Sequence, residues 1–87
     1  MNSEGELTYD GKPFEFIRSA RRHLIGIEHA RHVMRTVVPV YVPREAGTFG
    51  AELIWIGSDD RGVELEVIAS ERPDAWLVFH VMPTFRR

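Results

Sequence analysis

Three β-rich runs, AELIWIG (51–57), GVELEVIAS (62–70) and AWLVFHVMP (75–83), follow one another with only SDDR and ERPD between them. Both joints are turn chemistry, built on Asp, Ser and Pro. A parallel return needs a crossover of a dozen residues or more, so joints this short force an antiparallel meander. This meander occupies the C-terminal part of the chain and limits what the rest can do. The remaining segments have to cover one of its faces.

The segment before it reads in two parts. LTYDGKPFEFI (7–17) alternates apolar and polar residues around Asp10-Gly11, a tight-turn dipeptide, and predicts a short N-terminal strand or hairpin. Residues 1–6 are small and acidic and are expected to fray. Phe16, Ile17, Ala20 and Leu24 then recur at helical spacing and predict a first helix, ended by a left-handed cap at Gly26. Ile27, Ala30, Val33, Met34 and Val37 share the face of a second helix, which must stop before Pro39. VPVYVP (38–43) is extended, and its two prolines suit an edge strand. REAGTFG (44–50) is a loop. The expected fold class is α+β: a single domain, 1–87, with two N-terminal helices packed on an antiparallel β-meander.

Eighty-seven residues fit one domain, and a domain this small buries only about 60–65% of its unfolded surface. The absence of cysteine excludes disulfides, a thiolate zinc site and a thiol nucleophile. No apolar run approaches the ~20 residues of a membrane span, and no basic-then-apolar leader opens the sequence. Both observations predict a cytoplasmic protein without a membrane partner.

Charge is unevenly placed. The chain carries a formal net charge of −2, yet Arg18, Arg21, Arg22, Arg31 and Arg35 face only Glu28 between residues 18 and 35. Arg86 and Arg87 add a basic tail. An acidic total argues against broad, nonspecific nucleic-acid binding, while a basic strip beside a basic tail suits a focused contact with phosphate. The simpler reading of these arginines is a solvated helix face. His29 and His32, three apart on a helix, are close enough to chelate, but no third ligand is evident and no metal is expected. His23, at the end of the first helix, suits the negative end of the helix dipole.

Strand alternation assigns the faces. Val63, Leu65 and Val67 point one way, and Glu64, Glu66 and Ile68 the other. Leu77, Phe79 and Val81 oppose Trp76, Val78, His80 and Met82. A turn centred near Arg72 sets Glu64 opposite His80 and Glu66 opposite Val78, with Leu65, Val67, Leu77, Phe79 and Val81 toward the helices. The open face then holds a glutamate–histidine pair. Such a pair can do general acid/base work, or it can be an ordinary cross-strand contact worth about 0.2–1 kcal/mol.

The two-helix start ARRHLIGIEHARHVM, the pattern Gly57-x-Asp59-x-x-Gly62-x-x-Leu65-Glu66-Val67, and a last strand ending His80-x-Met82 before Arg86 and Arg87 resemble the small toxins of the RelE superfamily, its BrnT-like branch above all. The resemblance covers about residues 16–87. It implies the toxin of a type II toxin–antitoxin module: a metal-independent endoribonuclease (an mRNA interferase) that cleaves RNA by 2′-hydroxyl attack, needs no cofactor, and is silenced by a cognate antitoxin protein encoded nearby. The positions matching the family's acid/base groups are His80 and Glu66, with His23 as a second imidazole. The matching RNA-binding cations are Arg22, Arg61, Arg86 and Arg87. The chain departs from the family in being acidic, with a single lysine, and in stopping soon after its last strand. The alternatives are a non-catalytic protein-binding or homodimerising module and a small nucleic-acid-binding regulator.

Overall fold

The computed structural model describes residues 7–17, 26–45 and 50–86. They form an α+β fold whose sheet has six strands in the order β1-β2-β6-β5-β4-β3. The strands are β1 (Thr8–Tyr9), β2 (Lys12–Phe16), β3 (Val40–Val42), β4 (Glu52–Ser58), β5 (Glu64–Glu71) and β6 (Trp76–Pro83). One helix, α1 (Ile27–Thr36), lies between β2 and β3, and a 3-10 turn (Thr84–Arg86) follows β6.

Local chemistry accounts for most of these elements. The β1–β2 hairpin turns on Asp10 (φ 54°) and Gly11 (φ 79°), both in the left-handed region that a two-residue turn between strands requires. In α1 the buried residues Ala30, Val33 and Met34 sit at i, i+3 and i+4, one stripe facing the sheet. Val37 turns extended (φ −120°, ψ 137°), two residues before Pro39. β3 is an edge strand paired only with β4, as its flanking prolines allow. β4, β5 and β6 form the antiparallel meander.

Three expectations are corrected. First, the sheet is mixed. β2 runs parallel to β6, with Phe14 opposite Trp76 and Phe16 opposite Val78. Second, Phe16 does not begin a helix: it ends β2, and Ile17 N–H donates to the Val78 carbonyl at 3.1 Å. Phe14 and Phe16 around exposed Glu15 follow the two-residue period of a strand. The two-helix arrangement therefore reduces to one helix among the described residues, and positions 18–25 of the expected first helix lie outside them. Gly26 has φ −59° and is not a left-handed cap. Its carbonyl instead accepts from His29 N–H at 3.0 Å and opens α1. Third, the faces of β6 change partway. The register shifts beside Ile68 and Ala69, so that Ala69 pairs with Val78 and Ile68 with His80, leaving Phe79 as the extra residue of a bulge. Trp76 and Val78 therefore point into the core along with Val81, and Phe79 is pushed outward.

The core is Leu53, Trp55, Leu65, Val67, Ala69, Trp76, Val78 and Val81 under the α1 stripe. The sheet curls around it. Phe14 of β2 meets Trp55 of β4, two strands removed, with ring centroids 5.4 Å apart and planes at 74°. Gly57 is where the last turn of α1 comes down on β4, because a Cβ there would run into the Val37 side chain. Gly57→Val is therefore expected to cost about 1–3 kcal/mol through overpacking, measured as a lower urea midpoint with an unchanged slope.

Candidate functional site

Among the described residues no helix lies on the convex side of the meander. Residues alternating with the core on β4 and β5 point there: Ile54 and Ile56, then Glu64, Glu66 and Ile68. The β6 bulge adds His80 and Met82. Glu66 stands opposite Met82 and reaches diagonally to His80, whose Nε2 lies 3.1 Å from Glu66 Oε1. A carboxylate only accepts, so Nε2–H donates, and Nδ1 is the ring nitrogen that Glu66 does not engage. The two side chains are partly buried, at 29% and 16% relative exposure, so the contact is better shielded than an ordinary surface pair. At the strand end, Thr84 Oγ1 donates to Glu64 Oε1 at 2.6 Å and clasps the 3-10 turn to the start of β5.

The expected register was four residues off here: Ile68, not Glu64, stands opposite His80. Glu66, not Glu64, is the partner of His80, and Glu64 is taken by Thr84. Three of these places come from the turn, which pairs Glu71 with Trp76 and so centres between Pro73 and Asp74 instead of near Arg72, and the bulge at Phe79 adds the fourth.

The expected cations are distributed differently. Arg61 lies in the β4–β5 loop and binds Asp59, with Nε at 3.0 Å and Nη2 at 2.6 Å from Oδ2. Arg86 closes the 3-10 turn after β6, at the sheet end where Thr84 meets Glu64. Arg22, Arg87 and His23 lie outside the described residues, as do Arg18 and Arg21. Arg31 pairs with Glu28 at 3.7 Å and covers the Phe16 ring at 5.7 Å, so its role here is to pack α1 against β2.

A second cluster escaped the sequence reading. His29 Nδ1 of α1 is 2.5 Å from Asp60 Oδ1, and Asp59 lies beside them, with potential ligand atoms of all three within 4.8 Å of one another. His29 thus turns to the loop and not to His32. Asp59 is buried, and its Oδ1 accepts the Arg61 and Val63 backbone N–H groups at 2.8 and 3.0 Å. With Arg61 on Oδ2, its acceptor sites are filled. Burial works against the charged form of Asp59. The Arg61 side chain and the two backbone donors outweigh burial and hold its pKa below the ordinary value. The His29 hydrogen bond lowers Asp60 in the same direction. The cation of this cluster is Arg61 itself, and a metal would have to displace it. The sequence signal was the run SDDRG, in which an Asp followed at i+2 and i+4 by free backbone donors makes a self-contained loop.

Comparison with protein-family models, with curated proteins and with solved structures finds no match. No helix among the described residues is long and apolar enough to cross a membrane.

Proposed function

We propose that the chain is an endoribonuclease of the RelE/BrnT-like toxin kind, cutting RNA on the convex face of its meander. The observation that carries this reading is the Glu66–His80 hydrogen bond at 3.1 Å, on the sheet face away from the described helix. In the proposed reaction Glu66 takes the proton of the 2′-hydroxyl while that oxygen attacks the adjacent phosphorus. The P–O2′ bond forms and the P–O5′ bond breaks. His80 Nδ1–H gives its proton to the departing 5′-oxygen, leaving a 2′,3′-cyclic phosphate and a 5′-hydroxyl. Exchange with water restores both groups. Charge on the pentacoordinate phosphorus needs a cation, and Arg86 is assigned that task from its place after β6. Arg22, Arg87 and His23 remain candidates by resemblance alone. Arg61 is a weaker candidate, since Asp59 already engages two of its nitrogens. The chemistry requires no cofactor. A cognate antitoxin and a cytoplasmic setting belong to the same proposal.

The test is direct. Purified protein with a fluorescent single-stranded RNA and EDTA is expected to give cyclic-phosphate products, and the same oligonucleotide with 2′-deoxyribose throughout is expected to stay intact. Cleavage of the deoxy strand, or no cleavage of any RNA by a preparation that arrests growth when induced, would remove the mechanism.

A non-catalytic binding module is the second reading. It is favoured by exposed apolar residues along the β3 edge, where Val38 is 88% and Val40 62% accessible.

A further inference from the structure

The curl of the sheet brings its two outer strands to one cleft. Tyr9 of β1 and Asp10 of the hairpin turn line one side, and Tyr41 of β3 the other, around a volume of about 450 Å³. That volume is within the usual range of small-ligand sites. We propose that this cleft binds a guanidinium group. The inference is independent of the nuclease reading, since it uses other residues at the sheet edges.

The lining is held in place before any ligand arrives. The Tyr9 carbonyl accepts the Trp76 indole N–H at 3.0 Å, and the Tyr9 ring stands edge-on to Trp76 with centroids 5.6 Å apart. Asp10 is fixed by its left-handed turn conformation, φ 54°. Tyr41 leaves 51% of its surface accessible. Among the described residues the Asp10 carboxylate has no ion pair, and neither phenol has a hydrogen-bond partner. Lys12, paired with Tyr9 across the hairpin, is already committed. Its ammonium binds Glu71 at 3.1 Å and the Arg72 carbonyl at 2.9 Å, over the Trp76 ring.

Among its described lining residues the cleft therefore offers one carboxylate without an ion pair and two phenol rings. An anion would be repelled, and an apolar ligand would desolvate the carboxylate without pairing it. A quaternary ammonium would suit the rings but has no hydrogen to donate to Asp10. A guanidinium meets both demands: its plane stacks on phenol, and its fork donates to carboxylate. The group can arrive free, or on an extended peptide that also pairs with the outer edge of β3, which no described strand covers.

The experiment is a titration of ¹⁵N-labelled full-length protein, followed by amide shifts, with argininamide, with the peptide acetyl-Val-Arg-Val-amide, and with glutamine amide as the uncharged control. Saturable shifts at Tyr9, Asp10, Gly11 and Tyr41 are expected with the two arginine ligands and not with the control. Asp10→Asn keeps a residue that tolerates the left-handed turn and should weaken binding about fivefold or more. Tyr41→Leu should weaken it roughly two- to fivefold, and Tyr41→Phe should not. A peptide at least about tenfold tighter than argininamide, with added shifts at Val40 and Val42, identifies a strand-borne source; equal affinities identify a free cation. Absence of saturation at millimolar ligand, or equal affinity in wild type, Asp10→Asn and Tyr41→Leu, overturns the proposal.

Discussion

Asp59→Ala is expected to destabilise the chain by about 3 kcal/mol, the largest loss from any single polar change. The side chain is wholly inaccessible and satisfies two backbone N–H groups and the Arg61 fork at once. Truncation leaves those loop donors without partners at a buried position, at about 1–3 kcal/mol for each buried group left unsatisfied. It also frees the loop that His29 grips through Asp60, and so loosens α1 from the β4–β5 hairpin. For a domain of this length the loss corresponds to a fall in melting temperature of roughly 10–20 °C. Asp59→Asn keeps an acceptor for the backbone and should recover about half of it. A melting temperature within about 2 °C of wild type for the alanine variant would show that the loop is not held this way.

The same carboxylate sets the acid response. Asp59, Asp60 and Glu71 all titrate below their ordinary values in the folded chain. For Glu71 the leading cause is the hydrogen bond from Lys12. A depressed native pKa stabilises the fold at pH values above the unfolded value, near 4. That contribution is lost as pH falls through the lower native value, when the folded form must take up protons too. Stability from urea titrations should therefore be flat from pH 7 to 5 and fall steeply below about 4. Asp59→Asn should make the fall shallower. An equal slope in the variant would assign the acid response to other groups.

What could be read from residues alone divides by sequence distance. The Asp10-Gly11 turn, the edge position of the Val40 strand, the end of α1 before Pro39 and the meander all depend on neighbours within a few residues, and each was legible. The pairing of β2 with β6 was not. Its partners are about sixty positions apart, and the Phe14–Phe16 alternation looks the same whichever strand it joins. The bulge at Phe79 was equally hidden, since Trp76, Val78 and Phe79 are all apolar and either phase fills a core. The candidate pair survived that error because Glu64 and Glu66 point to the same side of β5. A register four places away sets Ile68 opposite His80 and brings Glu66, two places along the same face, into diagonal reach, so the pair keeps its chemistry. The Asp59 cluster was present as turn residues, but burial of a carboxylate depends on what packs over it. Here His29 of α1 lies beside it.

The expected effect of removing the imidazole follows from the same geometry. His80→Asn should lower the RNA cleavage rate by about 10²–10⁴, the usual contribution of one acid or base group. Glu66→Gln should do so to a similar extent, by removing the base while its amide oxygen can still accept from Nε2–H. Both residues lie on the convex face outside the buried core, so each variant should stay folded, with a melting temperature within a few degrees of wild type. The pH profile separates the roles. Wild type should give a bell, with the acid limb lost in Glu66→Gln and the alkaline limb lost in His80→Asn. Groups acting as one unit are not additive, so the double variant should be no slower than the slower single one. Two folded variants that cleave RNA at the wild-type rate would return the Glu66–His80 contact to a plain cross-strand pair. The convex face of the meander would then be left without a chemical role.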